Sequence, residues 1–177
     1  MQGKIFVATA LIMAFGTVNA ENNPVINGSF EISEIGKCPQ GWNFSANKNA
    51  EASVQATDKY SAEGGRSILI TNKSPYQPHV FGMFYQAVKL EPGKRYRLSC
   101  QARSDGSADI LQFVNGKRWQ QRFPLKNLSG KWQLYEFEFV AAPEDFEGDG
   151  NYYLRLNTEG VTDGVYIDCI AITPAGV

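Results

Sequence analysis

The chain has 177 residues, with 17 lysines and arginines against 18 aspartates and glutamates, one histidine and a net charge of −1. A near-neutral chain with no basic run argues against nucleic acid as a main partner. One histidine, and no GxSxG, HExxH, phosphate-loop or dinucleotide signature, set aside the catalytic designs that announce themselves in sequence.

Residues 1–20 read as a secretory signal peptide. Lys4 supplies the charge, residues 5–16 are apolar, and Val18-Asn19-Ala20 offers small residues for cleavage. The run is short for a membrane span, and no later stretch approaches the length one needs. No cysteine lies near the cleavage point to carry a lipid. Residues 21–177 then form one mature domain of net charge −2, secreted to the cell exterior or a periplasm and large enough to bury about 70% of its unfolded surface.

The elements that follow are short and strand-like. Residues 22–30 hold a proline and a brief apolar run, and a loop through Gly36, Cys38, Pro39 and Gly41 leads to Trp42. Residues 52–56 alternate weakly, and residues 67–71 read as a buried strand. An irregular stretch with Pro75 and Pro78 holds His79. In residues 84–90, Phe84, Gln86, Val88 and Leu90 share a face; in residues 96–103, Tyr96, Leu98, Cys100 and Ala102 do the same. Glu91-Pro92-Gly93-Lys94 between them has turn chemistry, which predicts a β-hairpin. Its other face carries Ser99, Gln101 and Arg103.

Residues 110–114 predict a strand, with a return strand in residues 118–125 after Asn115-Gly116. In residues 132–140, Tyr135, Phe137 and Phe139 alternate with Leu134, Glu136 and Glu138. Residues 152–157 and 165–172 give the last two strands. No window carries a helical stripe. The expectation is an all-β, two-sheet antiparallel sandwich of the jelly-roll kind, or a barrel.

Cys38, Cys100 and Cys169 are an odd count for an exported chain, so at least one stays unpaired. Cys100 and Cys169, each on an apolar face, either pair or serve as two small buried hydrophobes; Cys38 lies in a loop. Asn-x-Ser sequons fall at Asn27, Asn43, Asn72 and Asn127; an Asn- and Ser-rich chain generates such triplets without selection for them.

The aromatic supply is large, with 3 Trp, 8 Tyr and 11 Phe. Tyr96, Tyr135, Phe137 and Phe139 belong to apolar faces. Tyr76, His79 and Phe81 stand together in a loop, Trp119 sits among Arg118, Gln120, Gln121 and Arg122, and Tyr153 shares a polar face with Arg155 and Asn157. Flat rings beside amides and guanidinium groups suit a sugar: the ring stacks on the C–H face of a pyranose while the polar groups bond its hydroxyls. The alternative is that these rings cover loop–core junctions. His79 reads as a surface or ligand-contact residue rather than a general base.

The order of motifs resembles a known family. Asn27-Gly28-Ser29-Phe30-Glu31 is followed by Gly41-Trp42, Gly64-Gly65-Arg66-Ser67-Ile68-Leu69-Ile70 and Tyr85-Gln86. Then come Leu90-x-Pro92-Gly93-x-x-Tyr96-x-Leu98-Ser99, Gly130-x-Trp132 with the Tyr135-x-Phe137-x-Phe139 strand, and Val165-Tyr166-Ile167-Asp168. This is similar to the CenC-type carbohydrate-binding modules, the group of families 4, 9, 16 and 22, with a galactose-binding-domain-like jelly roll. The resemblance implies two antiparallel sheets, one concave, binding a glycan without doing chemistry. It implies Trp42 and Trp132 as scaffold. Around the groove, face parity places Ser99, Gln101, Arg103, Gln112, Trp119, Tyr153 and Arg155. It also implies a structural Ca²⁺ held by Glu31 and Asp168 with backbone carbonyls around Glu63 to Gly65. Cys169 stands where members of the family commonly have a second acid.

The leading expectation is therefore a secreted, non-catalytic binder of a poly- or oligosaccharide. A second is an extracellular structural or protein-interaction module with a protein partner. A third is a jelly-roll polysaccharide lyase or hydrolase, for which Gln77-Pro78-His79 offers only a faint likeness to a lyase motif, with proline unsuited to a central strand.

Overall fold

The structure is a computed structural model that describes residues 23–117 and 119–176. The expected signal peptide lies outside the described residues. Among the described residues nine strands form: β1 (Asn43–Asn47), β2 (Ala52–Thr57), β3 (Ser67–Asn72), β4 (Phe81–Val88), β5 (Arg95–Ser104), β6 (Ala108–Asn115), β7 (Gln121–Pro124), β8 (Gln133–Val140) and β9 (Tyr152–Pro174). A 3₁₀ turn, Pro143–Asp145, precedes β9.

β9 organises the molecule. Its first half pairs β4 on one side and β6 on the other, which gives a sheet ordered β1-β4-β9-β6-β7. Its second half pairs β3 and β5, which gives β2-β3-β9-β5-β8. The strand passes between sheets where Thr162 is shared by β3 and β6. All named pairings are antiparallel, so the expected two-sheet sandwich forms, with one strand turning the corner.

The inner faces follow the alternation read from sequence. Phe84 and Val88, Leu98 and Cys100, Leu111 and Phe113, Leu154 and Leu156, and Ile167, Ile170 and Ile172 are all buried in one cluster. Trp42 lies flat on Phe84 at 4.4 Å, with Phe30 tilted against both. Gly28 lets the chain pass under β9: a Cβ there would stand 1.9 Å from the Ile170 carbonyl oxygen. The Ile170 N–H donates to the Gly28 carbonyl at 2.9 Å. The motifs of the first hundred residues are thus mostly packing.

Three expectations need correcting. β4 and β5 do not pair with each other, so the predicted hairpin is absent. The Pro92-Gly93 turn carries the chain from one sheet to the other, fastened by Gly93 and Lys94 to Ala141. Both strands face the same core from opposite sides, which satisfies their alternation equally well. The strand-like run expected in residues 22–30 forms no strand among its described residues, which turn at residues 26–29. β1, reading Asn-Phe-Ser-Ala-Asn, is an edge strand with no apolar alternation beyond half-buried Phe44, and gave no signal. Trp132 is only half-buried and lies outside the core cluster, just before the edge strand β8. Cys38, Cys100 and Cys169 are all free thiols.

Candidate functional site

The outer faces of the two sheets differ. On the β3-β9-β5 side the chain covers itself. The Asp168 carboxylate accepts from the Ala62 and Glu63 N–H groups at 2.8 and 3.2 Å. The Tyr60 ring meets Tyr166 edge-on at 4.9 Å. Arg103 stacks on Tyr60 at 3.7 Å and bonds Asp105. Gln101, opposite Asp168 in the register, is on this side too. Gln101 and Arg103 therefore do not join the other candidates: they lie across the sandwich from Trp119 and Tyr153. The parity reading was sound, but with no hairpin the outward faces of β4 and β5 point in opposite directions.

On the β4-β9-β6 side the face is open. Tyr153, Arg155, Asn157 and Glu159 point outward from β9, because Tyr152, Leu154 and Leu156 fill the core. The register sets Tyr85 beside Arg155, Met83 and Gln112 on either side of Asn157, and Phe81 beside Glu159. Two loops rise over one end of this face. Residues 73–80 bring Tyr76, Pro78 and His79; the segment between β6 and β7 brings Trp119. Between them lies a cleft of about 480 Å³ lined by Asn47, Tyr76, Pro78, His79, Phe81, Trp119, Arg122, Asn157 and Glu159. That volume suits a small-ligand or oligosaccharide unit.

His79 and Trp119 both take left-handed backbone, with φ of 66° and 55°. Non-glycine residues adopt this conformation at a cost of about 1–2 kcal/mol, and it is met at ligand-binding sites. The Asn47 amide donates to the His79 carbonyl at 2.9 Å and pins that loop. Phe81 meets Trp119 at 5.7 Å, tilted by 65°. Beneath Trp119 lies Arg155, its guanidinium carbon 5.2 Å from the indole and 5.0 Å from the Tyr153 ring. Arg155 also donates to the Gly116 carbonyl and to Glu147, at 2.9 and 3.1 Å. It is buried and held by both bonds, so its role is to support two rings rather than to touch a ligand. A hydrogen bond to Asp149 fixes the Tyr153 hydroxyl and pushes its pKa up.

The floor is polar. Gln112, buried, donates to Glu159 at 3.1 Å, and Arg122 stands 4.0 Å from the same carboxylate. The Asn157 Oδ1 is buried with no partner among the described residues. Of the residues expected at the site, Tyr76, His79 and Trp119 line the cleft, Gln112 and Arg155 sit under it, and Tyr153 continues the same face. Phe81, Arg122 and Asn157, noted in sequence beside those residues, line the cleft too, whereas Asn47 and Glu159 were not singled out. Carrying the β9 alternation two residues past Asn157 would have found Glu159.

The expected metal residues are near one another but arranged for other partners. Asp168 Oδ1 takes the Cys169 N–H at 2.7 Å, and burial pushes its carboxyl up to about 6 against its three N–H donors. Glu31 takes the N–H groups of Gly65 and Arg66, at 2.9–3.2 Å. In a trans peptide the carbonyl before an N–H points the opposite way. The carbonyls of Ser61, Ala62, Gly64 and Gly65 therefore face away from these carboxylates. Calcium needs about six to eight oxygen donors, and no group of three or more His, Cys, Asp or Glu residues suited to a metal exists among the described residues. The residues as placed do not fit the ion.

The family model described as "Carbohydrate binding domain" matches residues 22–159. No match was found among curated protein sequences. Among solved structures, TmCBM61 in complex with β-1,4-galactotriose is similar over 86% of this chain and 99% of its own, at 15% identity and a TM-score of 0.60. A cyclase from Fischerella sp. TAU in complex with 4-(1H-indol-3-yl)butan-2-one is similar over 88% and 99%, at 16% identity and a TM-score of 0.63. The enzymatically active domain of the bacteriophage CBA120 tailspike protein 4 is similar over 86% of this chain, at 14% identity and a TM-score of 0.62, but this chain spans only 21% of its length. At these identities the likeness is one of fold.

Proposed function

The chain belongs to the carbohydrate-binding domain family, and on that premise we propose that it is a non-catalytic glycan-binding module that works outside the cytoplasm, with its ligand in the cleft between His79 and Trp119. One observation carries the reading: the cleft has aromatic walls, Tyr76, Phe81 and Trp119, over a polar floor with an unpartnered acceptor, Asn157 Oδ1. The rings stack on the C–H face of a sugar. Asn157 and Glu159 accept from its hydroxyls, and Arg122 donates to them. Tyr153 extends the platform for a neighbouring sugar unit.

Affinity electrophoresis on a panel of soluble polysaccharides, together with a glycan array, tests this. The expected result is retardation by at least one glycan, abolished in Trp119→Ala. No binding to any glycan, with a co-purifying protein instead, would favour the interaction-module reading. Release of reducing ends or unsaturated products would point to an enzyme.

A further inference from the structure

The stretch from Tyr60 to Arg66 covers the outer face of the β3-β9-β5 sheet, and both ends of the chain hold it. Asp168 on β9 grips it by the N–H groups of Ala62 and Glu63. Glu31, from the N-terminal turns, grips it by the N–H groups of Gly65 and Arg66. Gly64 is required between them. Its φ is 62°, and a Cβ there would stand 2.5 Å from a Glu31 carboxylate oxygen. The Arg66 side chain then turns back, and its Nη1 donates to the carbonyls of Glu31 and Ser33.

We infer that this chain fastens the loop with its own backbone N–H groups and the Arg66 guanidinium, in the role a bound cation would otherwise take, so that the fold is independent of divalent ions. The positive charge at the junction is a side chain, already bonded to two carbonyl oxygens of the N-terminal segment. The carboxylates are met by N–H donors, which leaves the loop carbonyls at Ser61, Ala62, Gly64 and Gly65 turned away. A cation at this point would need those peptides rotated and the N–H bonds broken. Charge-assisted bonds of this kind are the stronger class, and a guanidinium keeps its charge at any pH the protein meets.

Thermal unfolding of the purified protein tests the inference. With EDTA, and separately with excess calcium, the melting temperature is expected to be unchanged, and calcium titrated calorimetrically should give no binding heat. Arg66→Ala should lower the melting temperature by a few degrees. A shift in melting temperature with EDTA or calcium, or binding heat with calcium, would overturn it, and so would an Arg66→Ala variant as stable as the parent. Should Arg66→Ala fail to fold, the chelation and calorimetry arms on the unmodified protein still decide.

Discussion

The Arg155 guanidinium lies under the Trp119 indole, 5.2 Å from its centroid, while its two ends hold Gly116 and Glu147. One buried charge thus ties the cleft wall to the central strand. Arg155→Ala should cost about 1.5–3 kcal/mol of stability, the scale of a lost charged hydrogen bond, and should weaken glycan binding as well. Arg155→Lys, which keeps the charge but not the planar fork, should recover little of either. Urea unfolding and affinity electrophoresis on both variants check this.

Trp119 separates binding from folding. The ring is half-buried, and its backbone has φ 55°. Trp119→Gly relieves a left-handed conformation worth about 1 kcal/mol, so the melting temperature should hold steady or rise while glycan affinity falls by about tenfold or more. A parallel loss of both would mean that the ring is structural.

Gln101 and Arg103 serve as controls on the opposite face. Gln101→Ala should leave glycan affinity and stability unchanged. Arg103→Ala should lower stability, because Arg103 stacks on Tyr60 at 3.7 Å, and should leave affinity unchanged. A clear loss of affinity in either variant would place the ligand on the wrong sheet.

The four sequons are not equally open. The Asn72 side chain is buried and donates to the Thr158 carbonyl at 3.1 Å. That of Asn27 donates to Ser33 and Gln40, both at 2.9 Å. Asn43 and Asn127 are exposed. Expressed through a eukaryotic secretory pathway, the chain should carry glycans only at Asn43 and Asn127 by peptide mass mapping. A glycan at Asn43, beside Tyr85 on the open face, should reduce polysaccharide binding, and Asn43→Gln should restore it.

The strands were readable where alternation met a core. Tyr135, Phe137 and Phe139 alternate because one face of β8 covers Phe123 and Tyr152. Polar β1 was not readable, since an edge strand contributes little to the core. The Phe84–Arg103 stretch shows the deeper difficulty. A turn with alternating flanks looks the same whether the flanks pair or face each other across a core, and the partners that decide it, β8 and β9, lie far along the chain. The site inherited that ambiguity. Trp119, Tyr76 and His79 stood out because no apolar pattern accounted for them. Gln101 and Tyr153 each sat on a polar face, and only the assembled sheets show that these are two faces.

β9 has a consequence for how the molecule comes into being. Without residues 152–174 the chain holds four separate strand pairs, β1 with β4, β2 with β3, β5 with β8 and β6 with β7. The last strand inserts between them and completes both sheets at once. Folding must therefore await β9, and closure over such sequence distances is slow. Neither sheet can close before β9 is in place.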